Sequence, residues 1–307
     1  MIPSDWAVAR LDGVITQFWE RVEQTGGASV FVFCDPILTD PVLALTGQGF
    51  NLPVPKTVRM PLSRGLQPFT LQIPSDLAGE KLLQATFEIA LGEVEFASAN
   101  LPAPRSVCAW LMVDAVDVAA LHVNLSQAAR PPKGLAGSSL FRYWDPRVFA
   151  HLIRILGSSA LSAWLGSKMR WCWLDWAGQL QCFDASPSEA MPQYLEAPQL
   201  AALERIAEVN QCLVHSGQAL ALDQARALLH FDSLVEYASQ SGCRSATDRV
   251  LFALLSSQFG RGFERAEALQ PYFNDFLQRK SDFSTCAASV PETVWEVLAH
   301  SATEARK

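Results

Sequence analysis

Charge is scarce in this 307-residue chain: only 18% of its residues are Asp, Glu, Lys or Arg, against about 25% in an ordinary soluble domain. Half of the residues are hydrophobic, which calls either for a large buried core or for an apolar interface with a partner. No dense run of Lys or Arg could line a phosphate backbone, and the formal net charge is -7, so nucleic acid is not an expected ligand. No stretch approaches the roughly 18 continuous apolar residues of a membrane helix. The opening MIPSDWAVARLDG lacks the basic segment and apolar core of a secretory leader. Together these absences predict a cytoplasmic chain with no membrane insertion. Its seven cysteines are odd in number and scattered, a poor disulfide framework, so reduced thiols are expected.

The turns and clusters that usually carry chemistry are missing too. No GxxxxGK[ST] or GxGxxG loop follows a strand-like run, and Gly26-Gly27 precedes one instead. There is no GxSxG elbow. His122, His151, His215, His230 and His300 are dispersed, with no HExxH, CxxC or HxH spacing. Neither a metal nor a cofactor is expected, and no catalytic residue is assigned. Asp114 and Asp117 stand near the end of an apolar run, where α/β enzymes place reactive groups. Asp114 is equally suited to capping the next helix.

What is present is an alternation of short apolar runs with helical periodicity, the signature of a mixed sheet layered with helices, over residues 1–190. Val30–Cys34 reads as a strand, with Asp35-Pro36 capping and starting a helix behind it. PKTVRMPLS and FTLQIPS read as shorter strands, and Ser75-Asp76 opens a long helix. Val107–Val113 reads as a strand buried on both faces, and a helix follows until PPKGLAG breaks it. MRWCWLDW-AG-QLQCFD reads as a hairpin turning at Ala177-Gly178, with Trp171 and Trp173 on one face and Cys172, Leu174 and Trp176 on the other. Cys172 and Cys182 are then cross-strand neighbours, and Trp171, Trp173 and Trp176 are candidate interface aromatics. Prolines crowd DASPSEAMPQYLEAP. Beyond it, over residues 191–307, only helical patterns appear, so an all-α lobe is predicted there.

The densest combination of charge and aromatics is Leu140–Arg147, LFRYWDPR. Read as extended, it sets Arg142 and Trp144 on one face and Phe141 and Tyr143 on the other. Asp145 is a good N-cap and Pro146 a good first helical residue, so a helix is predicted from there. An arginine inside an apolar run is costly unless paired, which predicts an internal ion pair for Arg142 and Arg147 with an acid such as Asp114 or Asp145.

The run FRYWDPRVFAHLI resembles the FR[FY]YDPRVL-type motif of the family called domain of unknown function 4123. Phe141, Arg142, Tyr143, Asp145, Pro146, Arg147 and Val148 agree with the pattern, and Trp144 stands where tyrosine is usual. The preceding WLMVDAVDVAALHVNLSQAAR and the following LGSSALSAWLG also resemble that family, so the likeness covers roughly residues 28–183. It implies a non-enzymatic adaptor or chaperone of bacterial type VI secretion, whose partners are a toxic effector and the spike protein VgrG. The competing expectations are a small-molecule enzyme using Asp114, Asp117 or Arg142 in a cleft of the α/β lobe, and a structural subunit of the secretion apparatus.

Overall fold

The structure is a computed structural model that describes residues 5–37, 39–99, 105–130, 141–166, 168–186, 195–217 and 224–304. The chain forms two compact units, Met1–Leu203 and Glu204–Lys307. Leu140, the breaker PPKGLAG and residues 187–194 of the proline-rich stretch lie outside the described residues.

The first unit comprises α1 (Asp5–Glu23), β1 (Ser29–Cys34), α2 (Pro41–Gly47), β2 (Lys56–Thr57), β3 (Phe69–Gln72), α3 (Leu77–Ala99), β4 (Val107–Val113), α4 (Val118–Ala128), α5 (Pro146–Leu156), α6 (Ser158–Leu165), β5 (Met169–Leu174), β6 (Leu180–Ala185) and α7 (Ala197–Glu204). Six strands make one sheet in the order β2-β3-β1-β4-β5-β6, an α/β lobe as the sequence predicts. Every pairing is antiparallel, where the pattern had suggested a mixed sheet. A strand covered on both faces reads as continuously apolar whatever its direction, so β4 carries no sign of orientation in its composition.

Alternation along each strand decides which layer its side chains enter. Val30, Val32 and Cys34 of β1, Trp110 and Met112 of β4, and Cys172 and Leu174 of β5 join Phe18, Leu83 and Phe87 in one core, under α1 and α3. Trp110 stacks on Phe87 at 3.8 Å and donates its indole hydrogen to Thr86 Oγ1 at 2.9 Å. Phe31, Phe33 and Trp171 point to the opposite face, where His122 of α4 and Phe149 of α5 meet them. The sheet is thus the middle of three layers.

The predicted hairpin forms with Cys172 opposite Cys182, and all seven cysteines are free thiols. Asp175 closes its turn: Oδ1 accepts from the amides of Ala177 and Gln179, both at 2.9 Å. Gly178 sits at φ +67, so the backbone favours glycine there, and the guanidinium of Arg10 would have to shift to admit a Cβ. One cap is displaced from its expected place. Asp35-Pro36 does not start a helix; α2 begins five residues later, where Asp40 accepts from the Val42 amide at 2.9 Å and Pro41 takes the first position.

The second unit contains α8 (Ile206–His215), α9 (Gln224–Gln240), α10 (Ala246–Phe259), α11 (Gln270–Leu277), α12 (Phe283–Ala288) and α13 (Glu292–Glu304). No strand occurs among its described residues. Phe252, Phe263, Phe273, Phe276 and Phe283 form its core, with Phe273 and Phe283 stacked at 5.1 Å. Ser245 caps α10 by accepting from the Asp248 amide at 3.0 Å. Two short 3-10 turns, Phe263–Arg265 and Glu267–Leu269, precede α11, which starts at Gln270.

Candidate functional site

The run that begins at Phe141 is not a strand. Its amides close local turns, Tyr143 N to Phe141 O at 2.9 Å and Asp145 N to Arg142 O at 3.2 Å, while Phe141 N reaches Ala129 O at 3.0 Å. Three of the five amides from Phe141 to Asp145 are thus engaged in turns or with Ala129 instead of in a ladder. The two-sided arrangement survives as contacts. Phe141 and Tyr143 pack on Trp164 at 5.1 and 6.2 Å, and Tyr143 donates its hydroxyl hydrogen to Leu125 O at 3.0 Å. Arg142 and Trp144 turn the other way, onto Asp35.

Asp35 is 1% exposed at the end of β1. Its Oδ2 accepts from Arg142 Nη2 at 2.8 Å and from Trp144 Nε1 at 2.6 Å, and its Oδ1 accepts from the Ile37 amide at 3.0 Å. The predicted ion pair of Arg142 therefore exists, chiefly with Asp35 and only at 4.0 Å with Asp145. Asp114, the other acid considered, pairs instead with Lys168 at 3.4 Å.

Asp145 caps α5 through the Arg147 amide at 3.0 Å and grips the Arg147 side chain through Nε at 2.9 Å and Nη2 at 2.7 Å. Such a two-pronged contact uses the planar geometry of guanidinium and carboxylate together. Burial alone would raise the Asp145 pKa, but the bonds and charges of Arg147, aided by Arg142, outweigh it and hold the carboxyl below its ordinary value. The same pairing outweighs burial in Arg147 and raises its pKa. The contact overcomes the unfavourable placement of a cation at a helix N-terminus.

Two further charges complete the group. Arg105 is buried with its face 5.8 Å from the Trp176 ring centre, and burial followed by repulsion from Arg147 pushes its pKa down to about 10. Glu93 of α3 accepts from the Ser106 amide at 2.9 Å, and burial pushes its carboxyl up. Asp35 and Asp145 thus pair directly with Arg142 and Arg147, while Glu93 acts on Arg105 only through its charge and Arg105 Nε is buried with no hydrogen-bond partner. Breaking one member of such a buried pair typically costs about 3–5 kcal/mol, because the partner is left without compensation.

The tryptophans expected at an interface are not on the surface. Trp171 is fully buried, and Trp173 and Trp176 are 4% and 5% exposed. Trp171 stacks on Phe149 at 4.7 Å and Trp173 meets the same ring edge-on at 5.1 Å. This corrects the interface reading of Trp171, Trp173 and Trp176, because α5 covers the strand face that carries Trp171 and Trp173.

A cleft of about 910 Å³ opens between α4 and the segment that runs on from β2. Lys56, Arg59, Met60 and Pro61 form one wall, and His122, Val123, Ser126, Gln127 and Arg130 form the other. Gln67 braces the first wall, accepting from Met60 N at 2.7 Å and donating to Met60 O at 2.8 Å. His122 Nε2 lies 2.7 Å from Thr70 Oγ1, while its Nδ1 is buried without a partner. Burial and then the Lys56 charge push its pKa down to about 4, so the ring is neutral near pH 7. Asp114, Asp117 and Arg142 do not line this cleft.

Among the described residues no group of three or more His, Cys, Asp or Glu could hold a metal ion, and no helix is long and apolar enough to cross a membrane. Sequence reasoning missed Asp35, Glu93 and Arg105, and with them the cleft. One signal for Asp35 was present: of the three Asp-Pro pairs in the chain, those at Asp35 and Asp145 directly follow an aromatic-rich run, whereas Asp40-Pro41 follows a threonine. No family model matches the chain, and no curated protein or solved structure matches it.

Proposed function

We propose that this chain is a non-enzymatic adaptor that holds a type VI secretion effector and helps mount it on the VgrG spike. The observation that carries the reading is the run Phe141–Val148, which resembles the adaptor family at seven positions. The structure gives those residues work that suits a family signature. Arg142 ties the run to Asp35 at the end of β1, and Arg147 pairs with Asp145 at the start of α5, engagements that favour a scaffold role for the run over a reaction. On this reading the adaptor acts in the bacterial cytoplasm, in keeping with seven free thiols.

The enzyme alternative gains no comparable support, since Arg142 is committed to Asp35 and Asp114 to Lys168. The test is to express the tagged chain together with the spike and toxin encoded beside its gene, and to purify it by affinity and size exclusion. A complex with the toxin, the spike or both is expected. If neither associates in repeated trials in which all three proteins are soluble, the adaptor reading falls.

A further inference from the structure

We infer that the cleft between β2 and α4 is a docking groove for an extended acidic peptide segment. Three properties of the groove fit one kind of occupant. Lys56, Arg59 and Arg130 are exposed, and none of them has an ion pair among the described residues. No acid is among the described residues that line the groove, although the whole chain carries a formal charge of -7. An unpaired cationic strip on an acidic protein is a place where the field favours a negatively charged partner.

The second property is the sheet edge. β2 ends the strand order, with β3 as its neighbour on one side; it is two residues long, Lys56–Thr57, so the edge would contribute a short stretch of backbone pairing to another extended chain. The third is the apolar contribution of Met60, Pro61 and Val123 to the lining that also holds the cations; Val123 is 56% exposed. A ligand matching all three supplies carboxylates, backbone hydrogen-bonding groups and aliphatic side chains in alternation, which describes a peptide. Nucleic acid fits less well, because three cations are too few to follow a phosphate backbone. The wall is also built in advance, since the Gln67 bonds to Met60 fix its position, and a preformed site loses less entropy on binding.

The inference does not depend on the adaptor reading, because a peptide can bind the groove whether or not a toxin or spike co-purifies. The experiment measures fluorescence anisotropy of a labelled peptide alternating glutamate and valine, about eight residues long, the length of an ordinary strand. A lysine-valine peptide and an oligothymidylate of similar length are run beside it. The full chain should bind the glutamate peptide in preference to both, and the preference should collapse near 1 M salt, where the screening length is about 3 Å.

The triple variant Lys56→Glu, Arg59→Glu, Arg130→Glu alters only exposed side chains and should melt like the parent. It should bind the glutamate peptide at least about tenfold more weakly, as expected from losing and reversing three surface pairs. Equal binding by parent and triple variant overturns the inference. So does a parent that prefers the oligothymidylate or the lysine peptide, or that binds none of the three probes. If the variant melts well below the parent, the single substitution Arg130→Ser replaces it, and unchanged affinity in that protein also overturns the inference.

Discussion

Replacing Asp35 by alanine tests whether the signature run is held by the end of β1. The substitution removes the acceptor for the indole hydrogen of Trp144, a side chain with no exposed surface. Leaving that buried donor without its partner costs about 1–3 kcal/mol. The charge-assisted bond from Arg142 is also lost, and the Ile37 amide loses its partner. Arg142 is 31% exposed in its side chain and regains water, which trims its share. The sum is about 4 kcal/mol for Asp35→Ala. Asp35→Asn keeps the volume and one acceptor oxygen and is expected to cost about half as much. Eight of the nine tryptophans precede Glu204 in the sequence, so urea melts followed by tryptophan fluorescence report mainly on the first unit. That separation matters, because two units need not unfold in one step. In a unit of this size, about 4 kcal/mol lowers the midpoint of thermal unfolding by roughly 8–16 °C. A well-folded Asp35→Ala protein within about 0.5 kcal/mol of the parent would refute the reasoning.

Arg147→Ala strips Asp145 of its two-pronged partner and should destabilise the first unit by about 3–5 kcal/mol, with solubility lost before any selective loss of partner binding. Arg147→Lys should recover less than half of that in the same urea melt, since an ammonium cannot make two parallel bonds. His122 is held neutral in the fold, with its pKa moved from 6.5 to about 4. The folded state therefore binds fewer protons than the unfolded one in that window, and the His122 contribution, intact above pH 6.5, is lost as pH falls toward about 4. Melts of His122→Gln across that range should show a shallower fall than the parent, and identical slopes would contradict the assignment. Gly178→Ala forces a Cβ into a left-handed turn beside Arg10 and should cost about 1–2 kcal/mol in thermal melting.

Local patterns carried most of the elements. Alternation in MRWCWL and the Ala177-Gly178 turn located the hairpin, and Asp145-Pro146 marked the start of α5, because caps, turns and burial periods act within a few residues. The run before Asp145 misled for the same reason. Its apolar and aromatic side chains suit a strand, yet Phe141 N is drawn to Ala129 O and the following amides close turns, a choice made by tertiary contact. Asp35 shows the limit most clearly. A strand-ending Asp-Pro has the local form of a helix cap, and only the arrival of Arg142 and Trp144 makes it an ion-pair anchor. Likewise, tryptophans in a hairpin look alike whether a helix covers them or a partner does, and nothing near Trp171 in sequence reveals Phe149 above it.

The anchoring of Arg142 on Asp35, separated by 107 positions, bears on how relatives of this chain can be found. A change of sign at either position leaves the other opposed by its old partner, so the two are expected to drift together or not at all. A search pattern confined to FRYWDPR captures one half of a two-part lock. Requiring an Asp-Pro at the close of an earlier apolar strand supplies the other half, and chance seldom provides both at the right spacing.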